Sequence, residues 1–166
     1  MNINYNTMKI KNISKLAASI IICQLAGFIG SIFTAASIPT WYAALQKPFF
    51  NPPAWVFAPV WITLFVLMGI SLYLVWNKGI KTKGVKIALI LFGFQLALNV
   101  LWSIIFFGLK SPLYAFIEIV MLWIIILFTI LKFYSISKTA SYLLIPYILW
   151  VSFAAVLNFS IFILNL

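Results

Sequence analysis

Three sets of aromatic and polar side chains recur at helical spacing within the apolar stretches of this 166-residue sequence. The sets are Phe57, Trp61 and Phe65; Gln95, Asn99 and Trp102; and Tyr147, Trp150, Ala154 and Asn158. Because residues three, four or seven positions apart lie on one face of a helix, each set forms a stripe. Aromatic rings accompanied by a few amides can stack on a flat, apolar ligand and fix its orientation. The stripes therefore predict a binding site.

The residue types that are missing exclude most conventional catalysis. The chain has no histidine, aspartate or arginine, and Glu118 is its only acidic residue. A catalytic triad, a pair of carboxylates or a conventional metal site cannot be built from such a set. Cys23 is the only cysteine and lies in an apolar run, which excludes an internal disulfide and indicates a small buried side chain. We expect neither a cofactor nor a bound metal.

Glu118 lies about two turns into an apolar run. A carboxyl group inside a membrane is a candidate for anchoring a ligand or carrying a proton. An equally good interpretation is a protonated or hydrogen-bonded group that a neighbouring helix satisfies. A single carboxyl group with no partner acid, histidine or arginine is a poor proton relay, and the sequence leaves its role open.

Membrane-spanning helices must position the stripes, because the composition lies far outside the range of soluble domains. Hydrophobic residues make up 66% of the chain and charged residues 7%, and the mean hydropathy is +1.18. Five apolar runs approach the roughly 20 residues that cross a bilayer. They predict helices at about residues 16–37, 55–77, 85–107, 112–134 and 139–164, after a polar N-terminal tail at 1–15. The predicted fold is an all-α membrane protein, a bundle of five transmembrane helices with a long, structured first loop.

The first apolar run carries a small, slightly polar stripe at helical spacing, formed by Gln24, Gly27, Ser31 and Thr34. Small residues on one helix face predict close contact with another helix in a membrane. The run is longer than the roughly 7–15 apolar residues of a signal peptide, so we interpret it as a retained span.

Residues 39–61 connect the first two runs and hold five of the seven prolines and three of the seven tryptophans. Proline fixes its own φ and restricts the residue before it, so the segment is stiff. At 1.5 Å per residue, Trp61, Trp102 and Asn158 lie roughly 8–9 Å from the helix ends on the side of this segment. We predict that the segment forms both lid and upper wall of a pocket lined by Trp61, Asn99, Trp102, Trp150 and Asn158.

The distribution of lysine predicts the orientation in the membrane. Nine of the 11 lysines lie in the N-terminal tail and in the second and fourth loops, whereas Lys47 and Lys110 lie on the other side. The positive-inside rule then places the N-terminus in the cytoplasm and the C-terminus outside, in what we take to be the cell membrane. Because the lysines flank apolar runs and meet lipid headgroups, the net charge of +10 indicates no nucleic-acid partner.

Packing between helices is an alternative interpretation of the tryptophans and amides. Tryptophans near helix ends, such as Trp55 and Trp76, commonly form the interfacial belt of a membrane protein. Within the stripes, indole rings can fill helix contacts and amides can bond across helices without any ligand. Trp123 lies in the middle of a helix without a polar neighbour, which indicates a packing or lipid-facing role.

Three segments resemble the signature blocks of a known family. They read WYAALQKPFFNPPAWVFAPVW (41–61), QLALNVLWSIIFFG (95–108) and PYILWVSFAAVLN (146–158). In this order and at this spacing they are similar to the TspO/MBR family, the tryptophan-rich sensory or translocator proteins that include the peripheral benzodiazepine receptor. The resemblance covers residues from about 24 to 158.

The resemblance implies a homodimer whose cavity, beneath the first loop, binds porphyrins such as protoporphyrin IX, haem-related tetrapyrroles and, in some members, sterols. Porphyrin would be a ligand and not a cofactor. Trp61 and Trp150 match tryptophans linked to light-dependent porphyrin breakdown in bacterial members. Carried over position by position, the ligand-binding residues are Trp41, Phe57, Pro59, Trp61, Asn99, Trp102, Tyr147, Trp150, Ala154 and Leu157.

The resemblance also implies a dimer contact through a small-xxx-small pattern on helix three, which Gly93 and Ala97 match. Glu118 stands where relatives often have an aspartate. The C-terminal segment LNFSIFILNL lacks the basic residue of the cholesterol motif in vertebrate members, so sterol binding through that motif is not expected.

The leading hypothesis is an integral membrane receptor or translocator for tetrapyrroles and other flat, apolar ligands, lipids included. Light-dependent degradation of porphyrin is one alternative, and a structural membrane scaffold that recruits a partner protein is another.

Overall fold

The computed structural model describes residues 5–166, with side chains from residue 13 onward. Within these residues the chain forms the helices α1 (Tyr5–Ser37), α2 (Ala54–Trp76), α3 (Val85–Ser103), α4 (Pro112–Tyr134), α5 (Lys138–Leu143) and α6 (Ile145–Leu164). Five stretches are long and apolar enough to cross a membrane, namely Ile13–Tyr42, Ala54–Trp76, Val85–Gly108, Pro112–Tyr134 and Lys138–Leu164. The predicted all-α bundle with five membrane spans is confirmed.

The helix ends follow the local sequence closely, except at the start of the chain. Helix α4 begins at Pro112 after an extended Ser111, because proline suits the first helical position, where its missing N–H costs no hydrogen bond. Helix α1 begins at Tyr5, well before the predicted start at residue 16. Most of the segment predicted as a polar tail (1–15) is therefore helical, and residues 1–4 of that prediction lie outside the described residues.

The first and third spans each end in a wide, π-helical turn, at Ile38–Tyr42 and Ile104–Gly108. Pro39 lies in the first turn and has no N–H, so it cannot continue the α-helical hydrogen bonds. Since helical turns run on to Ala44, the first connector is shorter than predicted and comprises residues 45–53. Pro39 and Trp41 belong to the first span, and Pro59 lies inside α2.

The fifth span contains a break that the sequence analysis did not predict. Helix α5 ends at Leu143 and α6 begins at Ile145, with Pro146 in its first turn. Proline lacks the N–H that a continuous helix would need at that position. Two hydroxyl groups hold α5 in place, because Ser71 Oγ donates to the carbonyl of Ala140 (2.7 Å) and Ser141 Oγ to that of Ile130 (3.0 Å).

Helices α1 and α2 pack closely through glycine. A methyl group placed on Gly69 would lie 2.6 Å from Ile20 Cα, and one on Gly27 would lie 2.5 Å from the ring of Phe65. Contacts this short leave no room for a side chain, so the two backbones approach as small residues allow in membranes. A separate apolar core lies beside the first connector and includes Tyr42, Phe106, Phe107, Ala115, Leu157 and Ile161.

Most of the described lysines lie at the end of the bundle opposite the first connector. Lys15 Nζ lies 5.8 Å from the ring centre of Trp76, and Lys132 Cε would lie 3.5 Å from a methyl group on Gly84. The second and fourth connectors therefore meet at one end. Lys47 and Lys110 lie at the other end, where Asn165 of the C-terminus bonds to Gln46. This distribution agrees with the predicted orientation, which itself stays a prediction.

Candidate functional site

A cavity of about 420 Å³ lies beneath the first connector, between α1, α2, α3 and α6. Its wall is mainly aromatic, with small residues and a few polar groups between the rings. The aromatic residues that line it are Phe28, Tyr42, Phe57, Trp61, Phe65, Trp102, Phe106, Phe107 and Trp150. The three stripes identified in the sequence thus converge on one space.

Seven of the ten predicted ligand-binding residues line this cavity: Phe57, Trp61, Asn99, Trp102, Trp150, Ala154 and Leu157. Asn158, which the stripes also indicated, lines it as well. They come from α2, α3 and α6, whose ends beside the first connector lie at similar depth. The stripes and the resemblance therefore both point to residues of this wall, and contact of these residues with a ligand stays a prediction.

The other three predicted residues lie outside the wall. Trp41 packs edge-on against Phe106, with 5.5 Å between the ring centres, and so supports the wall from behind. Pro59 is exposed on the surface of α2. Tyr147 is fully buried behind Asn99. Any contact of these three residues with a ligand would be indirect in this arrangement.

Tyr147 orients the amide of Asn99. Asn99 Nδ2 donates to the hydroxyl of Tyr147 (3.1 Å), and that hydroxyl donates to Gln95 Oε1 (2.9 Å). Within the described residues, Asn99 Oδ1 receives no hydrogen bond, and the buried Gln95 Nε2 has no partner. The chain fixes Asn99 at the cavity wall with its carbonyl oxygen free to accept a hydrogen bond.

Asn158 holds a second fixed position. Trp102 Nε1 donates to Asn158 Oδ1 (3.1 Å), and Asn158 Nδ2 donates to the carbonyl of Pro112 at the start of α4 (2.8 Å). The ring of Trp102 also stacks on Phe106 at 5.1 Å. Since its N–H is already used, Trp102 can offer a ligand only its ring.

Trp61 and Trp150 differ from Trp102 in this respect. Neither indole N–H has an acceptor within the described part of the chain, and both rings are half-buried in the wall. Trp61 stacks on Phe65 at 5.5 Å, and Trp150 meets Phe57 edge-on at 6.0 Å. These contacts hold the two rings while leaving their N–H groups available.

The first connector is tied down over the cavity. Tyr42 donates through its hydroxyl to Asn51 Oδ1 (2.8 Å), and Asn51 Nδ2 donates to the carbonyl of Pro52 (3.1 Å). Asn165 pairs with the backbone of Gln46, accepting from its N–H (3.0 Å) and donating to its carbonyl (2.9 Å). The connector is therefore fixed both to the first span and to the end of α6.

The first span forms a cavity wall that the sequence analysis did not identify. Gln24, Gly27, Ser31 and Thr34 line the cavity, although their small, polar stripe had been interpreted as a helix contact. Phe106 and Phe107 in the second π-helical turn also line the cavity, although the sequence analysis did not single them out, and Ser37 Oγ donates to the carbonyl of Phe107 (2.7 Å). The stripe was visible in the sequence, but its function depended on where the neighbouring helices lie.

Two side chains singled out in the sequence lie away from the cavity. Glu118 is 5% exposed, and neither carboxyl oxygen has a hydrogen-bond partner among the described residues. Trp123 has a polar partner that the sequence did not reveal, because its N–H donates to Ser152 Oγ (2.8 Å) and joins α4 to α6. Trp123 therefore serves packing between helices.

Gly93 and Ala97 lie on the outer face of α3 and are exposed. A methyl group on Gly93 would meet no atom within 4 Å, so this face is open. The surrounding exposed side chains are Ile90, Phe94 and Leu101. The dimer contact predicted for this face stays a prediction.

Comparison with known proteins gives a match over nearly the whole described chain. The sequence profile of the TspO/MBR family matches residues 19–164. The tryptophan-rich protein TspO of Archaeoglobus fulgidus is 50% identical over 155 residues, which are 93% of this chain and 99% of that protein. The protein of the same name from Chlorobaculum tepidum is 48% identical, over 93% and 98%. The human translocator protein is 39% identical over 83% of this chain and 82% of its own length. Every residue that lines the cavity falls within the matched range.

Proposed function

The chain belongs to the TspO/MBR family, and from this premise we propose that it is a receptor or translocator for tetrapyrroles in the cell membrane. Protoporphyrin IX and haem-related pigments would bind in the cavity beneath the first connector. The observation that carries the proposal is the convergence of Trp61, Trp102 and Trp150 on one cavity. The name translocator protein, which several relatives bear, supports a role in moving a ligand.

The size and lining of the cavity suit a flat, apolar molecule. Its volume of about 420 Å³ falls within the range of roughly 300–1,000 Å³ for small-molecule sites. Stacked aromatic pairs contribute about 0.5–1.5 kcal/mol beyond the burial of their area. A conjugated macrocycle presents two broad faces, so it can use several of these rings at once.

The unpaired polar groups suit the edge of a tetrapyrrole. Trp61 and Trp150 can donate through their indole N–H groups, and Asn99 can accept through Oδ1. A tetrapyrrole carries carboxylates that accept hydrogen bonds and pyrrole N–H groups that donate them. A few such bonds fix orientation in a site whose affinity comes from apolar contact.

Titration of the purified protein with protoporphyrin IX tests this proposal. We expect saturable quenching of tryptophan fluorescence and a matching change in the absorbance band of the porphyrin. The Trp61→Phe, Trp150→Phe variant should bind roughly tenfold more weakly, which corresponds to about 1.4 kcal/mol. The variants are compared by porphyrin absorbance because the substitutions remove fluorophores.

Trp55→Phe is the matched control for that titration, because Trp55 is 75% exposed and lies outside the cavity. It should bind with the affinity of the unaltered protein. Unsaturable absorbance changes in all three proteins would refute tetrapyrrole binding in this cavity.

Light-dependent degradation of bound porphyrin is the second candidate function. Trp61 and Trp150 line the same space, and Trp61 also meets Tyr147 edge-on at 6.4 Å. A pigment in the cavity would therefore lie against oxidisable rings. In air, porphyrin absorbance should decrease under illumination when the protein is present and should stay constant in the dark. An equal decrease with the variant that lacks both tryptophans would show that the protein only binds the porphyrin.

The other alternative is that the protein is a structural membrane scaffold, which recruits a partner protein and binds no ligand in the cavity. A ligand that binds only the folded state stabilises it by RT ln(1 + [L]/Kd), about 2.7 kcal/mol at a hundredfold excess over Kd. Protoporphyrin IX should therefore raise the melting temperature. A melting temperature that no pocket ligand changes would favour the scaffold.

A further inference from the structure

Some residues where α1 faces α2 belong both to the wall of the cavity and to the outer surface of the bundle. Phe28 and Ser31 of α1, and Ala54, Ala58 and Ile62 of α2, line the cavity and are also exposed on the outside of the bundle. Phe28 is 65% exposed and Ile62 is 57% exposed. Side chains can face both spaces only where the wall between those spaces is interrupted. The interruption lies within the two apolar spans Ile13–Tyr42 and Ala54–Trp76.

The packing of α1 against α2 explains where the wall ends. The helices are in tight contact at Gly69 and Ile20, and Gln24 Nε2 donates to the carbonyl of Ile62 (3.1 Å). Continued along these antiparallel helices, the same register predicts Ser31 opposite Ala58. Both side chains are small, and both are exposed although they line the cavity, which agrees with an interrupted wall at this point. The opening therefore lies beyond the contact of Gly27 with Phe65, beside Ser31 and Ala58.

In contrast to the opening between α1 and α2, access to the cavity from water past the first connector is closed. Tyr42 lines the top of the cavity and is only 8% exposed, and its hydroxyl is bonded to Asn51. Asn165 holds the connector through two hydrogen bonds to Gln46, and Phe50 packs against Phe153 with 6.3 Å between ring centres. A ligand arriving from water would have to break these contacts together.

The rim of the opening is mainly apolar, with Phe28, Ala58 and Ile62 beside Ser31. Ser31 Oγ donates to the carbonyl of Phe28 (2.7 Å), and the amide of Gln24 is bonded to Ile62. A molecule dissolved in lipid would pass these side chains without first entering water, and lipid is as apolar as the rim. The chemistry suits a flat amphiphile that partitions into the bilayer.

We propose that Phe28, Ser31, Ala58 and Ile62 frame a lateral portal, through which the ligand enters the cavity from the bilayer and leaves into it. The portal rests on the proposed binding function, since it describes how the ligand of that cavity arrives. A portal controls how fast the ligand associates and dissociates, whereas contacts inside the cavity determine the binding affinity.

A removable block at Ser31 tests the portal. Cys23 is the only cysteine and is fully buried, so a Cys23→Ala background accepts a single cysteine at a chosen position. Ser31→Cys is labelled in detergent with an aromatic methanethiosulfonate and then placed in phosphatidylcholine nanodiscs. Stopped-flow quenching by protoporphyrin IX gives the association rate, and displacement gives the dissociation rate.

We expect the label to slow both association and dissociation by at least about tenfold, since a gate changes both rates. Removing the label with dithiothreitol should restore both rates in the same molecules, which excludes misfolding as the cause. Ala36→Cys, exposed on α1 but outside the cavity, is the matched control and should keep its rates when labelled.

Three outcomes would overturn the portal: unchanged rates in labelled Ser31→Cys, equal slowing in labelled Ala36→Cys, or a raised Kd with an unchanged dissociation rate. Absence of saturable quenching in the unlabelled protein would instead refute the proposed binding function. The two failures are therefore distinguishable.

Discussion

At the scale of single residues, asparagine determines the shape of the cavity wall. Asn99 is held by Tyr147, and Asn158 connects Trp102 of α3 to the first turn of α4. Inside a membrane a polar side chain must find its partners within the protein, because lipid offers none. Each asparagine therefore fixes the aromatic rings next to it.

Asn158→Ala should destabilise the protein and weaken porphyrin binding. The change removes the hydrogen bonds to Trp102 and to the carbonyl of Pro112. At about 0.5–1.5 kcal/mol each, the two bonds predict a loss of about 1–3 kcal/mol in the free energy of unfolding. Thermal unfolding in one detergent measures this loss, with Asn77→Ala in the exposed second connector as control. Equal melting temperatures for the two variants would contradict the role of Asn158.

At the scale of the helices, the spacing between α1 and α2 decides which part of the cavity is closed. Glycine brings the helices together at Gly69 and Gly27, whereas the small, exposed side chains of Ser31 and Ala58 lie at the proposed opening farther along. The two π-helical turns widen the first and third spans beside the cavity, and both contribute residues to its wall. Wide turns of this kind occur frequently at functional sites.

Gly69→Ala and Gly93→Ala should have opposite effects on stability. At Gly69 the added methyl group would lie 2.6 Å from the backbone of Ile20, so α1 and α2 must shift apart. Overpacking of this kind costs about 1–3 kcal/mol. At Gly93 nothing lies within 4 Å, and alanine favours a helix over glycine by up to about 1 kcal/mol. Melting curves of the two variants test the packing; identical curves would show that the helices do not approach this closely.

At the scale of the whole molecule, the outer faces of the bundle determine how it sits in the membrane and what it contacts there. The face around Gly93 and Ala97 is exposed, with nothing within 4 Å of a methyl group on Gly93, and it does not line the cavity. The lysines are concentrated at the end of the bundle opposite the first connector. These two features lead to separate predictions.

Gly93→Leu, Ala97→Leu should convert a dimer into monomers. Large side chains on a small-xxx-small face keep two helices from approaching closely. Chemical cross-linking in vesicles, together with sedimentation in detergent, measures the change, and porphyrin affinity should stay unaltered because the cavity is elsewhere. Ala36→Leu on α1 serves as control. If the double variant remained dimeric, another face would have to form the contact.

Reporter fusions should place the C-terminus outside and the second connector in the cytoplasm. Because lysines remain preferentially on the cytoplasmic side, the lysine-rich connectors fix the orientation. Alkaline phosphatase, which is active only outside, should be active after Leu166 and inactive when inserted near Lys81. The reverse pattern would show that the orientation is inverted.

The sequence by itself determined the class of the fold and much of the site. Bilayer thickness sets the length of an apolar run, so the five spans were predictable and most of their ends were nearly correct. Helical spacing also identified the faces of α2, α3 and α6 that meet at the cavity, because side chains on one helix keep fixed angles to one another.

Only the tertiary structure decided what lies between helices. It placed the stripe of Gln24 and Ser31 in the cavity wall, moved Tyr147 behind Asn99, and interrupted the wall beside Ala58. Spacing along one helix fixes which residues share a face, but not how far the facing helix lies. That distance depends on contacts between residues remote in the chain, such as Gly69 with Ile20. Small residues therefore make a tight contact at Gly69 but line the cavity at Ser31 and Ala58.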